Sequence, residues 1–360
     1  MFRLLAAFVI GVCFPAAALA QTAEVQLAWD PVGEPGISGY VIEYGTSSRQ
    51  YTRSIDVGPN TEAVVTDLES GIPYFFTVRS YNSYGERSLP SNEVMHTPAP
   101  GVPRLKGNTE LIWRHSVTGN VARWTMVGLT QTSGEALGPA PVADLKWKIV
   151  GTGDFNSDKQ RDLVWQHSDT GHISVWLMQG TKLIDGRLMN PGRVDIKWRI
   201  AAVADMNGDS KSDLIWQNEQ DGHISVWLMN GSNLSDGRLL EPARVADLDW
   251  KIVGAGDFNG DKKADLLWRH KTSGALAVWY MNGGGRQLAG RMLEPGAVAD
   301  MAWQIVAVTD VNADGKSDII WQHTNGNLAA WIMSNHWMTW SSPLQPEAVT
   351  DTKWKIVGGR

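Results

Sequence analysis

Fifteen of the chain's 18 tryptophans fall into three ladders of five, and each ladder steps along the sequence by 51 to 53 residues. The first ladder is Trp113, Trp165, Trp216, Trp268 and Trp321; the second is Trp124, Trp176, Trp227, Trp279 and Trp331; the third is Trp147, Trp198, Trp250, Trp303 and Trp354. A period of this length points to a repeat architecture, in which a unit cannot bury its own apolar faces and must stack on its neighbours. Five units follow, and function has to be sought in what recurs with them.

Just before four members of the first ladder stands a nine-residue pattern, D-x-N-x-D-x-x-x-D. Its copies are Asp154, Asn156, Asp158, Asp162; Asp205, Asn207, Asp209, Asp213; Asp257, Asn259, Asp261, Asp265; and Asp310, Asn312, Asp314, Asp318. Ca²⁺ takes six to eight oxygens at roughly 2.3–2.6 Å, and a tight loop delivers them from alternate positions. Positions 1, 3, 5 and 9 offer side chains, while position 7 offers a backbone carbonyl, from Gln160, Lys211, Lys263 and Lys316. Gly208 and Gly260 ease the turn. Asp and Asn also favour turns without any metal, but four copies at one phase of the repeat exceed what turn chemistry alone explains. Two like charges about 4 Å apart repel by about 4 kcal/mol at an effective dielectric near 20. Calcium is therefore the expected cofactor, at about four sites. An EF-hand is excluded, because its twelfth position needs a bidentate glutamate and Trp165 stands there.

Residues 1–20 combine Arg3, an apolar run from Leu4 to Phe14 and Ala18-Leu19-Ala20, the form of a secretory signal peptide. The run is shorter than the roughly 20 residues of a spanning helix, so no membrane span is expected once the leader is removed. The one cysteine, Cys13, lies inside that segment, and its loss leaves no thiol for disulfides, zinc-thiolate sites or nucleophilic catalysis. The net charge of −6 is more than accounted for by the twelve motif aspartates. No basic run suggests nucleic acid. The expected location is secreted, periplasmic or at the cell surface.

Between 23 and 97 the chain alternates in the manner of short strands punctuated by Gly and Pro. The order Trp29, Tyr40-x-x-x-Tyr44, Leu68, Tyr74, Asn82 and Gly85 resembles a fibronectin type III domain, with Leu68 and Tyr74 matching its tyrosine corner. Prolines at 98, 100 and 103 make 98–107 a stiff linker. Residues 108–360 then give about 51 residues per unit, enough for the four short strands of a propeller blade. The first unit begins at its second strand, Glu110-Leu111-Ile112-Trp113, and has no acidic loop, whereas the chain ends on a spare first strand, Trp354-Lys355-Ile356-Val357. Pairing the two closes a ring without an open edge. The expected fold is all-β: a fibronectin type III sandwich followed by a five-bladed β-propeller closed by the C-terminal strand.

The acidic loops within these units resemble the FG-GAP or VCBS repeats of integrin alpha-subunit propellers and many exported bacterial proteins, in which the equivalent loop joins the first two strands of a blade. The resemblance implies a non-catalytic, calcium-binding adhesion or recognition protein that meets an extracellular protein or glycan through propeller loops. Ladder tryptophans read as packing between blades. Trp337 and Trp340 break the pattern and are the candidate ligand residues, which keeps open a lectin-like carbohydrate-binding reading. His115, His167, His270 and His323 share one repeat phase with Asn218 in the fifth place, which argues against a shared base or metal and for bonding to the following turn. No nucleophile elbow, His-Glu-x-x-His, phosphate loop or dinucleotide fingerprint occurs; a polysaccharide-active hydrolase or lyase on the propeller's central face is the remaining alternative.

Overall fold

The computed structural model describes residues 4–8, 23–33, 35–68, 73–96 and 105–359. The chain divides into two compact units, Met1–Arg104 and Leu105–Arg360. Among the described residues every regular element is a strand.

The first unit contains β1 (Leu4–Phe8), β2 (Ala23–Trp29), β3 (Ile37–Gly45), β4 (Arg53–Gly58), β5 (Glu62–Leu68), β6 (Tyr74–Asn82) and β7 (Val94–His96). They form two sheets, in the orders β1-β2-β5 and β4-β3-β6-β7. Alternating residues of both sheets meet in one core that includes Leu27, Trp29, Tyr40, Ile42, Tyr74 and Phe76, as expected of a sandwich. Trp29 and Tyr40 meet edge to face with centroids 5.7 Å apart, and the Tyr40 hydroxyl accepts the Val32 N–H at 2.9 Å. Leu68 and Tyr74 are both buried in this core. The leader read from the sequence lies mostly outside the described residues; within it, β1 pairs antiparallel with β2.

The second unit is five blades of four antiparallel strands. Blade 1 takes β8 (Asn108–His115), β9 (Val121–Val127) and β10 (Thr130–Ala136); blade 2 is β11 (Trp147–Gly153), β12 (Asp162–His167), β13 (His172–Gln179) and β14 (Lys182–Arg193). Blade 3 is β15 (Trp198–Ala204), β16 (Asp213–Asn218), β17 (His223–Asn230) and β18 (Asn233–Arg244). Blade 4 is β19 (Trp250–Gly256), β20 (Asp265–His270), β21 (Ala275–Met281) and β22 (Gln287–Ala297). Blade 5 is β23 (Trp303–Thr309), β24 (Asp318–His323), β25 (Asn327–Ser334) and β26 (Trp337–Ala348). The last strand, β27 (Trp354–Gly359), pairs with β8 to complete blade 1, with Ile356 opposite Trp113. The five first strands stand in a ring, β11, β15, β19, β23 and β27 each beside the next and β27 beside β11. Glycine permits the approach: a Cβ on Gly151 would come within 2.5 Å of the Val203 side chain in the neighbouring blade.

Stacked sheets bury both faces of each second strand, and all six residues of β16 are buried. Each core between blades is shared, as where Phe258, Leu267 and Leu276 of blade 4 meet Ile319, Trp321 and Met333 of blade 5.

Two further bonding rings tie the blades together. The residue after each first-ladder tryptophan, Arg114, Gln166, Gln217, Arg269 or Gln322, donates to the carbonyl of the third-ladder tryptophan in the next blade, including Gln322 to Trp354. At the outer edge, the residue before a proline donates its N–H to the turn of the following blade: Gly138 to Thr181, Asn190 to Ser232, Glu241 to Gly285, Glu294 to His336 and Gln345 to Leu129, all at 2.8–2.9 Å. These bonds accompany outermost strands that are long for a blade, as in the twelve residues from Lys182 to Arg193 in blade 2. An edge position suits proline, which has no N–H to offer a ladder.

The expected linker of 98–107 is also shorter at its end. Leu105 packs on the core shared by blades 5 and 1, and Gly107 donates to Val311 O at 3.0 Å, because blade 1 has no covalent turn between its first two strands and the entering chain fills that place.

Candidate metal centres and recognition residues

The four acidic loops join the first and second strands of blades 2 to 5, and the ninth residue of each begins the second strand. The backbone turns by two left-handed residues at positions 4 and 6: Ser157 and Lys159, Gly208 and Ser210, Gly260 and Lys262, Ala313 and Gly315, with φ between 59° and 84°. Asp154 shows what the turn achieves. Its Oδ1 accepts the N–H groups of Asn156 and Ser157, at 3.2 and 2.7 Å, and its Oδ2 accepts that of Lys159 at 2.8 Å. Asn156 Oδ1 accepts from Asp158 N, and Asp158 Oδ1 from Gln160 N. Asp205, Asn207 and Asp209 repeat this wrapping, as do Asp257, Asn259 and Asp261, and Asp310, Asn312 and Asp314. Positions 1, 3 and 5 are thereby held around one turn with oxygens as their common donor type.

Position 7 turns its side chain away. Gln160 Oε1 accepts Gly180 N–H at 2.6 Å, Lys211 Nζ donates to Asn230 Oδ1, and Lys316 Nζ donates to Ser334 Oγ. A Cβ on Gly283 would meet the Lys263 side chain, which lies over the corresponding turn of blade 4. The part foreseen for these residues is a main-chain one, and their side chains are engaged elsewhere.

Position 9 differs from a plain ligand. Asp162, Asp213, Asp265 and Asp318 are fully buried. Their Oδ2 atoms accept the N–H of Phe155, Met206, Phe258 and Val311 at 2.8–3.0 Å, and their Oδ1 atoms accept that of Met178, Met229, Met281 and Met333 at 2.8–2.9 Å. Each pins its loop to the third strand of its own blade. Burial pushes these carboxyls up to about 6 in Asp162 and Asp213 and about 7 in Asp265 and Asp318, with the aspartates at positions 1 and 5 adding to the rise and the backbone donors opposing it. Among the described residues the three aspartates of a loop do not bring oxygens within 4.8 Å of one another. The fit to Ca²⁺ rests on the all-oxygen donor set, the wrapped turn and a buried carboxylate without a cationic side chain against it.

Among the described residues the group that does converge to that distance is Asp247, Asp249 and His270. Its atoms already have protein partners: His270 Nε2 on Asp247, and Lys271 and Thr272 on Asp249. The pairing belongs to a series. His115, His167, His270 and His323 each place Nε2 3.1–3.3 Å from an aspartate, Asp351, Asp144, Asp247 and Asp300. Their Nδ1 atoms accept backbone N–H groups from the following turn, at Thr118, Thr170, Ser273 and Asn325. Nδ1 as acceptor leaves the proton on Nε2, so these histidines fasten the turn, as the sequence suggests.

First-ladder tryptophans are buried to within 2%, and each pairs with the second-ladder tryptophan of its blade at 4.4–5.0 Å between centroids. Third-ladder rings stand edge-on to the histidines, at 5.1–5.2 Å in four blades. Trp337 and Trp340 are not on a loop between blades but on the outermost strand of blade 5. Trp337 is 53% exposed and lies against His336. Trp340 packs on the core between blades 5 and 1, so the two do not make one exposed patch.

Two family models agree with this architecture. The family model of the FG-GAP-like repeat matches residues 205–268 and 257–321, and that of the fibronectin type III domain matches 16–97. A Kelch domain-containing protein of Saccharolobus solfataricus is 43% identical over 83 residues, covering 22% of this chain and 11% of that protein's length. Among solved structures, the fibronectin type III domain of a human protein is 18% identical, covering 29% of this chain and 78% of its own, at a TM-score of 0.22. A quinonprotein alcohol dehydrogenase-like protein of Bacteroides thetaiotaomicron is 7% identical, covering 92% and 94%, at 0.32. No described helix is long and apolar enough to cross a membrane. The chain carries an N-terminal fibronectin type III domain followed by a propeller of FG-GAP-like repeats.

Proposed function

We propose that the protein is an exported recognition module, whose ring is braced by Ca²⁺ in the four acidic loops and which binds an extracellular protein or glycan without chemistry on it. The observation that carries this reading is the set of four identical oxygen-lined turns, each backed by a buried aspartate lacking a cationic partner. In each site the side chains at positions 1, 3 and 5 and the main chain of position 7 would hold the ion. Bracing follows from where the loops sit: Ser212 N–H donates to Asp154 O, and Ser317 N–H to Asp257 O, so a loop touches the next blade's loop. A non-catalytic role is supported by the strongly raised carboxyls all lying in these loops, each committed to two backbone donors.

Melting of the protein lacking residues 1–20, in excess chelator and in millimolar calcium, tests the metal. Free calcium at about 100 times its dissociation constant adds about 2.7 kcal/mol per occupied site, so the two melting temperatures should differ by many degrees; coincident curves would sink the reading. A screen against glycans and surface proteins, with and without calcium, tests recognition. Cleavage of any glycan in that screen would transfer the assignment to an enzyme.

A further inference from the structure

Blade 5 contains a cleft of about 420 Å³ on the side that faces blade 4, within the roughly 300–1,000 Å³ of small-molecule sites. Its walls are the three tryptophans of one repeat: Trp321, fully buried, at the floor, with Trp303 and Trp331 half-buried. Asn327, Ser341 and Glu347 line the same cleft, Ser341 opposite Trp331 on the neighbouring strand. The side chains of these three make no hydrogen bond among the described residues, so their donors and acceptors are free to meet a ligand.

Blade 2 supplies an internal comparison. The equivalent cleft there is about 290 Å³ and has the same aromatic wall, Trp147, Trp165 and Trp176. Its serine is already used: Ser174 Oγ donates to Arg187 O at 2.8 Å. On the face of the cleft tryptophan, blade 2 carries Ser174, Gly186 and Leu188, where blade 5 carries Ala329, Ser341 and Pro343, since Trp176 faces Gly186 and Trp331 faces Ser341 across equivalent strands. Proline and alanine in place of leucine and serine leave more room, and the Ser341 hydroxyl stands where blade 2 has no side chain.

An apolar aromatic wall beside a few unengaged polar groups is the chemistry that holds a sugar, whose ring has a C–H face for the indole and a rim of hydroxyls. We propose that the blade 5 cleft is a saccharide-binding site for a neutral oligosaccharide of glucose or N-acetylglucosamine type. Sugars with all ring substituents equatorial present the flattest C–H face to Trp331 and Trp303. Asn327, Ser341 and the Glu347 carboxylate bond the hydroxyls, and Glu347 repels acidic sugars. The inference rests on the recognition reading above and names its ligand class and place.

The test is isothermal titration of the calcium-loaded protein with cellotetraose, triacetylchitotriose and trigalacturonate. One neutral probe should bind at one site per chain, and the acidic one should not. Trp331→Ala should weaken that binding at least about tenfold. Ser341→Arg, which sets a long side chain on the Trp331 face from an exposed position, should do the same, while Trp176→Ala should leave it within about twofold. Circular dichroism and melting check that each variant is folded. Failure of both neutral probes to bind, or binding that survives Ser341→Arg or disappears with Trp176→Ala, overturns the cleft. A protein ligand still captured by Ser341→Arg, in a protein that binds neither neutral probe, would leave the recognition reading standing while the saccharide site falls.

Discussion

Gln322 Nε2 donates to the carbonyl of Trp354 at 3.0 Å, and its Oε1 accepts the N–H of Ile356 at the same distance, so one buried side chain latches the last blade to the strand that completes the first. Gln166 and Gln217 make the same pair of bonds inside the ring. Only the Gln322 pair grips a strand that reaches its blade non-covalently.

Gln322→Ala leaves the buried N–H of Ile356 and the part-buried carbonyl of Trp354 without their partner, at about 1–3 kcal/mol for a fully buried group and less for the other. The variant should lose about 2–5 kcal/mol in urea denaturation, and a chain ending before Trp354 should lose cooperative unfolding of the propeller. Unchanged stability of Gln322→Ala would mean that the seam is held elsewhere.

Glycines separate two kinds of constraint. Gly222 has φ +77° and a Cβ there would come within 2.1 Å of Val245 O, whereas Gly208 has φ +81° with open space around it. Gly208→Ala meets only the left-handed backbone cost, about 1–2 kcal/mol. Gly222→Ala adds a collision with backbone that cannot move aside, so it should destabilise distinctly more. Equal melting temperatures for the two variants would refute the contact.

The ring was legible because its signals are periodic: tryptophans at 51–53 residues, acidic turns at one phase, and strands missing from one end and spare at the other. The two cross-blade bonding rings were not, since Gln166 and the residue before Pro191 are ordinary in a strand and gain their role only from the neighbouring blade. Spacing offers position 9 as a side-chain donor; its anchoring of Met178 N–H depends in addition on the third strand, whose distance no local pattern encodes. Trp340 breaks the repeat, yet a residue can break it and still be packed. The clearer signal lay beside it, in Ser341-Ser342-Pro343 standing where blade 2 has Gly186-Arg187-Leu188.

Asp318 and Asp314 occupy one loop with different tasks. Asp318 is buried and holds Val311 N–H and Met333 N–H, while Asp314 is largely outside and accepts only from Lys316 N and Asn312 Nδ2. Asp318→Ala should therefore cost about 2–5 kcal/mol even in chelator, since two buried N–H groups lose their acceptor. Asp314→Ala should be nearly silent in chelator and lose about one quarter of the calcium-dependent rise in melting temperature. The reverse ranking in chelator would overturn the division of labour.

The four buried aspartates also set a pH dependence. Their carboxyls stand at about 6 to about 7 in the folded chain, above the ordinary 3.8, chiefly because burial disfavours the charged form. A folded-state value above the unfolded one means that the native protein holds its proton more tightly, so stability is full below the unfolded value and drains away as pH rises through the folded one. In chelator, the melting temperature should accordingly fall between about pH 4 and about pH 7 and level off above it. Calcium should offset most of that fall, because the cation favours the ionised carboxylates. Asp265→Asn, neutral at every pH, should flatten the slope in chelator by removing one of four contributions. A chelator-treated protein that grows more stable across this window would show that these carboxyls do not titrate where their burial places them.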